Sequence, residues 1–466
     1  MAILIPIFIA APVVTVLVVT AVTYYAVKQV QAQRKMKKQM EAAMSATTSN
    51  DFAVQGAQGI MVNKTGSSQK IPVIYGKTRT GGIRVFAETE GTDNVHLHMA
   101  FVIGEGEMNK CSKIYFDGVE AATCSTAGAT DTGSWSYNSP WSGKVQMSFR
   151  PGTDGQSAIG DLTSKASWTD PRFRGIAYAY LRLEYDEEVW TNGVPTITFE
   201  VEGVKVPSTS DGTSLSYTNG DNPANCILGY LTNTRYGKGI APADLDLASF
   251  ETARAYCNGR FHTRGNLSTD APIYSNIQDL LTSCRGYLTF GNKYKLIIDK
   301  ASNETPFAIT KDNIIGDITY TLGGKESLFN RMTANYLNES KEYKDDVKVK
   351  ESSTLKTQDN GVLLEASFPL PFTKTESVVN QMLIEEINQS RQSHSISLKC
   401  TVDAIDLQVG DLVNVTNETF GITEKTFRVM STVIETSSEI SLSLLEYDND
   451  VYGTSIITDA RADDND

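Results

Sequence analysis

Residues 173–185, FRGIAYAYLRLEY, alternate strictly: Ala177, Ala179, Leu181 and Leu183 fall on one face of an extended chain, and Tyr178, Tyr180 and Arg182 on the other. Period two over this length predicts a β-strand. The partner stretch GVPTITFEVEGVKV, residues 193–206, repeats the pattern, so a barrel or sandwich is expected to close here. Upstream, IPVIYGKTRTGGIRVFAE from Ile71 to Glu88 gives two short strands around Gly81-Gly82, and VHLHMAFVIGEGE continues in period two. KIYFDGVEA sets Asp117-Gly118 between apolar runs, a hairpin signal. The Gly-, Ser-, Thr- and Trp-rich stretch from Ser125 to Ser167 has little periodicity and reads as an insertion with long loops.

Downstream the period changes. NPANCILGYLTN, DLASFETARAYCNG and IYSNIQDLLTSCRG carry helical spacing, the last with Ile277, Leu280, Leu281 and Cys284. GYLTFGNKYKLIID then forms a hairpin about Gly291-Asn292. A further strand series starts at Leu328, a polar run covers Lys341 to Gln358, and SVVNQMLIEEINQSRQ is a helix with Val378, Met382 and Ile387 on its apolar side. HSISLKCTVDAIDLQVGDLVNVTN, TFRVMSTVIE and EISLSLLEY complete a second β unit. Six units are expected: an apolar and basic N-terminal helix at 1–50; a first β-barrel domain at 51–94 plus 173–221; an inserted β/loop domain at 95–172; a small α+β domain at 222–304; a second β-barrel domain at 305–449; and an acidic tail at 450–466. The fold class is therefore a β-rich α+β multidomain protein.

The 466 residues are too many for one small module, and 40% apolar with 21% charged residues is ordinary globular composition. Forty-two Lys plus Arg against 55 Asp plus Glu leave a formal charge of −13, which argues against a protein built to grip phosphate backbones. Ala2 to Val27 carries no charged side chain and is long enough to span a bilayer. Lys28, Arg34, Lys35, Lys37 and Lys38 follow, and would keep the downstream chain cytoplasmic if the segment were inserted. Two readings stand: a helix buried in an oligomer, or a membrane anchor.

Cysteines 111, 124, 226, 257, 284 and 400 form no metal-spaced cluster and read as buried thiols, with Cys111 and Cys124 as the one pair placed to bridge. Gly76-Lys77-Thr78 has the end of a phosphate loop, but Ile71 stands where its first glycine belongs. His96 and His98 share a strand face at a spacing able to bind metal, and read first as sheet-surface histidines. Asp186, Glu187 and Glu188 offer carboxylates for a glycosidase and read first as a solvated loop. Trp135, Trp141, Trp168 and Trp190 suit a sugar-binding face and read first as core and interface anchors. No catalytic, cofactor-binding or metal residues are assigned, and no enzymatic activity is expected.

In series, FRGIAYAYLRLEY with GVPTITFEVEGVKV, NPANCILGYLTNTRYGKGI (222–240), SFETARAYCN, the 273–299 block and DLQVGDLVNVTN (406–417) resemble the central tail-hub protein of long-tailed bacteriophages, the family of the lambda-like tip attachment protein. The resemblance covers most of residues 71–447. It implies a homotrimer whose two barrel domains per subunit make a pseudo-sixfold ring joining tail tube to tip and fibres, with a channel for DNA ejection. Implied partners are distal tail and tube proteins, other tail-tip proteins, the tape-measure protein and a fibre, with transient passage of DNA and host-membrane contact through Ala2 to Val27. Lambda-type proteins continue into fibronectin-like and receptor-binding regions that are not matched after Tyr447, so receptor recognition is not carried over. Two other classes compete: a membrane-anchored assembly or secretion component, and a cell-wall hydrolase.

Overall fold

The computed structural model describes residues 64–65, 69–165, 171–191, 193–324, 327–435 and 439–452. The N-terminal helix expected at 1–50 and most of the acidic tail lie outside these residues. Among the described residues no helix is long and apolar enough to cross a membrane.

The first body is built from β1 (Lys64–Thr65), β2 (Val73–Tyr75), β3 (Lys77–Thr80), β4 (Ile83–Glu90), β5 (His96–Glu105), β6 (Met108–Phe116), β7 (Val119–Thr123), β8 (Ser136–Tyr137), β9 (Val145–Arg150), α1 (Gly160–Lys165), β10 (Ile176–Glu184) and β11 (Ile197–Val204). One sheet runs β1-β4-β5-β10-β9, with β2 also beside β5, and the other runs β3-β11-β6-β7-β8. The chain changes sheet at Gly76, at Gly81-Gly82 and at Gly106, so consecutive strands face each other across the core. Phe101 and Phe199 meet there with ring centres 5.5 Å apart. The hairpin expected at Asp117-Gly118 forms, both residues with positive φ (47° and 89°), as a two-residue primed turn requires. Strand β10 is buried on both faces. Ala177, Ala179, Leu181 and Leu183 enter the main core, while Tyr178 and Tyr180 join Ala100, Ile159 and Leu162 under α1.

These pairings set residues 96–116 among the strands of both sheets. β5 lies between β4 and β10, and β6 between β11 and β7, so residues 96–116 are central strands of the first body. Their period-two apolar faces demand cover from both sheets, which a separate loop domain does not supply.

Short β12 (Val206–Pro207) and β13 (Leu215–Ser216) lead into α2 (Pro223–Thr232), α3 (Leu247–Cys257), β14 (Gly265–Leu267), α4 (Ile273–Thr282), β15 (Gly286–Phe290) and β16 (Tyr294–Ile298). Asn222 caps α2, its side chain accepting from the Ala224 amide, and Pro223 takes the first helical position, where its missing N–H costs nothing. The helix is apolar around its circumference and is buried all round. The hairpin about Gly291-Asn292 forms as expected. Because β14 pairs with β2, this region shares the first body's core.

The remaining chain gives β17 (Phe307–Ile309), β18 (Ile314–Thr321), β19 (Arg331–Asn338), β20 (Lys344–Glu351), α5 (Ser353–Gln358), β21 (Glu365–Pro369), α6 (Glu376–Ser390), β22 (Ser395–Cys400), β23 (Leu412–Asn417), β24 (Ile422–Ile434) and β25 (Ile440–Glu446). Six strands make one sheet in the order β17-β23-β24-β25-β22-β18. Its edge strands are joined by a turn in which the Asn313 amide donates to Thr310 O at 3.0 Å. Five strand spacings laid flat would cover about 24 Å, whereas the five-residue step from Ile309 to Ile314 reaches at most about 17 Å, so the sheet must roll toward a barrel. Its core is separate, formed by Ile309, Phe427, Val429, Leu442 and their neighbours. Residues 331–390 do not join it. They form a three-stranded sheet (β20-β19-β21) with α6, and Met332, Tyr336, Val379 and Met382 belong to the first core.

Candidate functional site: a charged junction and two apolar clefts

Where the two cores meet, the side chains are ionic. Arg285, with φ +53° just past α4, is 1% exposed. Its guanidinium donates to Asp299 Oδ2 at 2.6 Å and to Glu386, and lies 3.3 Å from Glu385. Asp299 also receives Arg428 from β24 and the Tyr452 hydroxyl. Arg428 donates further to Tyr287 Oη (2.8 Å) and Lys300 O (3.0 Å) and stacks 4.5 Å from the Tyr447 ring centre. Burial disfavours the Asp299 carboxylate, yet Arg428 and Arg285 outweigh it and hold its pKa down at about 2. Burial raises Glu385 and Glu386 against the pull of Arg285. Removing one partner from such a cluster is costly, because it leaves a buried charge without its counter-charge.

A second polar seam closes the β19–β20 turn on the first sheets. Arg264 bridges Asp221 (2.9 Å) and Glu339 (2.5 Å), and Arg79 packs 3.8 Å above the Tyr115 ring. Behind it lies Lys374, 1% exposed, donating to Pro371 O at 2.9 Å, its pKa lowered to about 7 by burial. His262, 3.1 Å from Thr375 Oγ1, is lowered to about 4 by burial and by Arg264.

The residues singled out from sequence are placed as follows. Gly76 is a sheet-crossing turn with φ +58°, and Lys77 pairs with Glu200 (3.3 Å) and Glu339 (3.8 Å). His98 is buried rather than on the sheet surface: its Nδ1 is 2.6 Å from Tyr180 Oη and its Nε2 3.2 Å from Glu90, because the α1 layer covers that face. His96 is half-buried, 3.8 Å from Glu184. Among the described residues no group of three or more His, Cys, Asp or Glu stands ready to hold a metal ion. Asp186 accepts from the Glu188 amide and lies 3.3 Å from Lys144, while Glu187 and Glu188 are exposed beside it. Trp141 and Trp190 flank Phe116, each ring centre 5.6 Å away, and Trp135 is buried; Trp168 lies outside the described residues. All six cysteines are buried free thiols, Cys111 and Cys124 included.

Sequence patterning did not single out two apolar clefts. The first, of about 250 Å³, is lined by Leu97, Leu183, Tyr185, Trp190, Val194 and Pro195, with Tyr185 65% exposed. The second, of about 410 Å³, opens between the β15–β16 hairpin and the second barrel, where Phe290 (41%), Ile405 (48%) and Ile434 (45%) are exposed. Grouped exposed apolar side chains mark interaction surfaces. The sheet edges, by contrast, are blunted: β17 has three residues, β18 is bulged near Gly316, and β20 reads KDDVKVKE.

No family model matches the chain. It is 22% identical to the baseplate hub protein pb3 of Escherichia phage T5 over 96% of its own length and 54% of that protein, so it spans about half the length of that curated relative. A chain from the virion of a native gene transfer agent particle shares the fold, with a TM-score of 0.62 and 14% identity over 90% of this chain and 92% of that one. The 43 kDa tail protein of prophage MuSo2 from Shewanella oneidensis aligns over 82% of this chain and 94% of that one, at 10% identity and a TM-score of 0.29. Along nearly its whole length, then, this chain resembles a phage tail hub protein.

Proposed function

We propose that this chain is a structural, non-enzymatic protein of a phage virion: a tail-tip or baseplate hub that assembles as a trimeric ring, joins the tail tube to the tip and fibres, and surrounds the path of DNA. The observation that carries this reading is the likeness to a baseplate hub protein over 96% of the chain. Two β bodies per chain suit a ring of three copies with pseudo-sixfold character. The formal charge of −13 suits a conduit, because a wall of like charge lets DNA slide where a basic wall would hold it. Its partners are tube and distal tail proteins, other tip proteins, the tape-measure protein and a fibre. The segment Ala2 to Val27 is assigned to the lumen, with entry into the host membrane on ejection.

Native mass in detergent-free buffer, with and without residues 1–50, tests this. The expected species is a trimer in both cases, three copies of the 50.9 kDa full chain or of the correspondingly lighter truncated one. A monomer that stays soluble only after truncation favours the membrane-anchored alternative. A basic channel surface in the assembled ring would overturn the conduit.

A further inference from the structure

We propose that residues 453–466 of this chain, GTSIITDARADDND, dock in cis in the cleft between the β15–β16 hairpin and the second barrel. These residues lie outside the described ones.

The cleft is apolar along one side and cationic along the other. Phe290, Ile405 and Ile434 present half-exposed side chains. Lys293 is exposed at the hairpin turn, and Lys295 donates to Gln408 Oε1 at 3.0 Å. The one acid among the lining residues, Asp246, already caps α3 through the Ser249 amide. Lys293 and Lys295 outnumber Asp246 along the lining, and the half-buried Asp411 beside it acts on Lys295. Residues 453–466 match both sides: Ile456 and Ile457 are an adjacent apolar pair, and Asp459, Asp463, Asp464 and Asp466 outnumber Arg461. An apolar contact flanked by opposite charge supplies both affinity and orientation.

Reach is sufficient. Tyr452 is fixed by its hydroxyl on Asp299, and Asp299 follows β16, four residues beyond Lys295. A strand rise of about 3.3 Å per residue puts Asp299 about 13 Å from Lys295, and the Tyr and Asp side chains add about 11 Å, so Tyr452 is no more than about 25 Å from the cleft. The fourteen residues after it extend to about 46 Å. A tether of this length gives an effective concentration on the order of millimolar, which favours the chain's own segment over a free competitor of equal affinity. A partner that uses this cleft must therefore displace the segment first.

Zero-length carbodiimide cross-linking of the full chain tests this, on a pool of unlabelled and isotope-labelled copies refolded together and read by mass spectrometry. The expected products join Lys293 or Lys295 to Asp459, Asp463 or Asp464 within one isotopic form, and fall about tenfold in an Ile456→Ser, Ile457→Ser double variant. Mixed-isotope products would assign the cleft to a second copy and overturn the proposal, as would absence of the cross-links or their persistence in the double variant. A dye-labelled 453–466 peptide added to a chain ending at Tyr452 gives an independent reading. Saturable, salt-weakened binding that Ile405→Ser with Ile434→Ser lowers about tenfold is expected, and no binding at about 1 mM peptide overturns the proposal.

Discussion

Arg428 and Asp299 form a buried ion pair that joins two hydrophobic cores at their boundary. Asp299 directly follows Ile298 of the first core, and Arg428 sits between Phe427 and Val429 of the second. Both residues are under a tenth exposed, so neither has water as an alternative partner.

Replacing Asp299 by Asn is therefore expected to be far worse than its size suggests. It leaves Arg285 and Arg428 buried with less counter-charge, and breaking a buried pair in this way costs about 3–5 kcal/mol. Urea denaturation followed by tryptophan fluorescence measures it. Acid titration has a definite sign: the Asp299 pKa falls from 3.8 to about 2 on folding, so its contribution is present above pH 3.8 and is lost as pH falls through about 2.

Lys374→Met is expected to stabilise the chain. Folding lowers the lysine pKa from 10.5 to about 7, so between those values the unfolded state holds the extra proton and stability rises with pH. Below about 7 the full penalty applies, on the order of 3–5 kcal/mol. Denaturation midpoints from pH 6 to 10 should climb in the parent and climb less in the variant, and equal slopes would refute the assignment.

Gly203→Ala is expected to cost about 1–3 kcal/mol by overpacking. A Cβ there would stand 2.1 Å from Ile74 O, where β11 crosses β2 and the Gly203 amide donates to Gly76 O. Gly118→Ala meets no atom within 4 Å but must keep φ +89°, so its cost is strain alone. Thermal unfolding of the pair separates crowding from conformation.

Thiol labelling should be slow in the native chain and reach all six cysteines in denaturant. Burial raises the Cys111 and Cys226 pKa well above the ordinary thiol range and pushes Cys400 to about 11, so little thiolate exists at neutral pH. Fewer than six reactive groups under non-reducing denaturation would reveal a bridge.

Tyr185→Asp with Val194→Asp should leave thermal unfolding within about 0.5 kcal/mol of the parent, since both side chains are exposed. If the first cleft is an assembly surface, the same pair lowers the native mass of the hub.

Strands with one apolar face were legible in the sequence, and so were the main hairpin turns and the four longer helices α2, α3, α4 and α6, while the six-residue α1 and α5 were not. Ala177 to Leu183 alternate because the pleat alternates, Asp117-Gly118 supplies two positive φ values, and Pro223 after Asn222 starts α2. β20 was read as a polar run because an edge strand carries lysine and aspartate where a central strand carries valine. Periodicity identifies strands without naming their partners, so the place of β5 between β4 and β10 is not legible in the sequence. The charged junction draws on Arg285, Asp299, Glu385, Glu386 and Arg428, which share no local spacing. Its traces were an acid ending the apolar run LIID and an arginine within TFRVMS. The clefts left no trace, because Phe290, Ile405 and Ile434 meet only after folding.

Helix α6 supplies Val379, Met382, Leu383 and Ile387 to a core whose first strand begins near residue 73. A ribosome must therefore release residue 390 before the first core can seal, and β18 waits for β22, which in turn waits for β25 near residue 446. Synthesis at about 5–20 residues per second leaves apolar sheet faces uncovered for tens of seconds. The first core can close once residue 390 has emerged, whereas the second waits for its last strand, so apolar faces stay uncovered through most of synthesis.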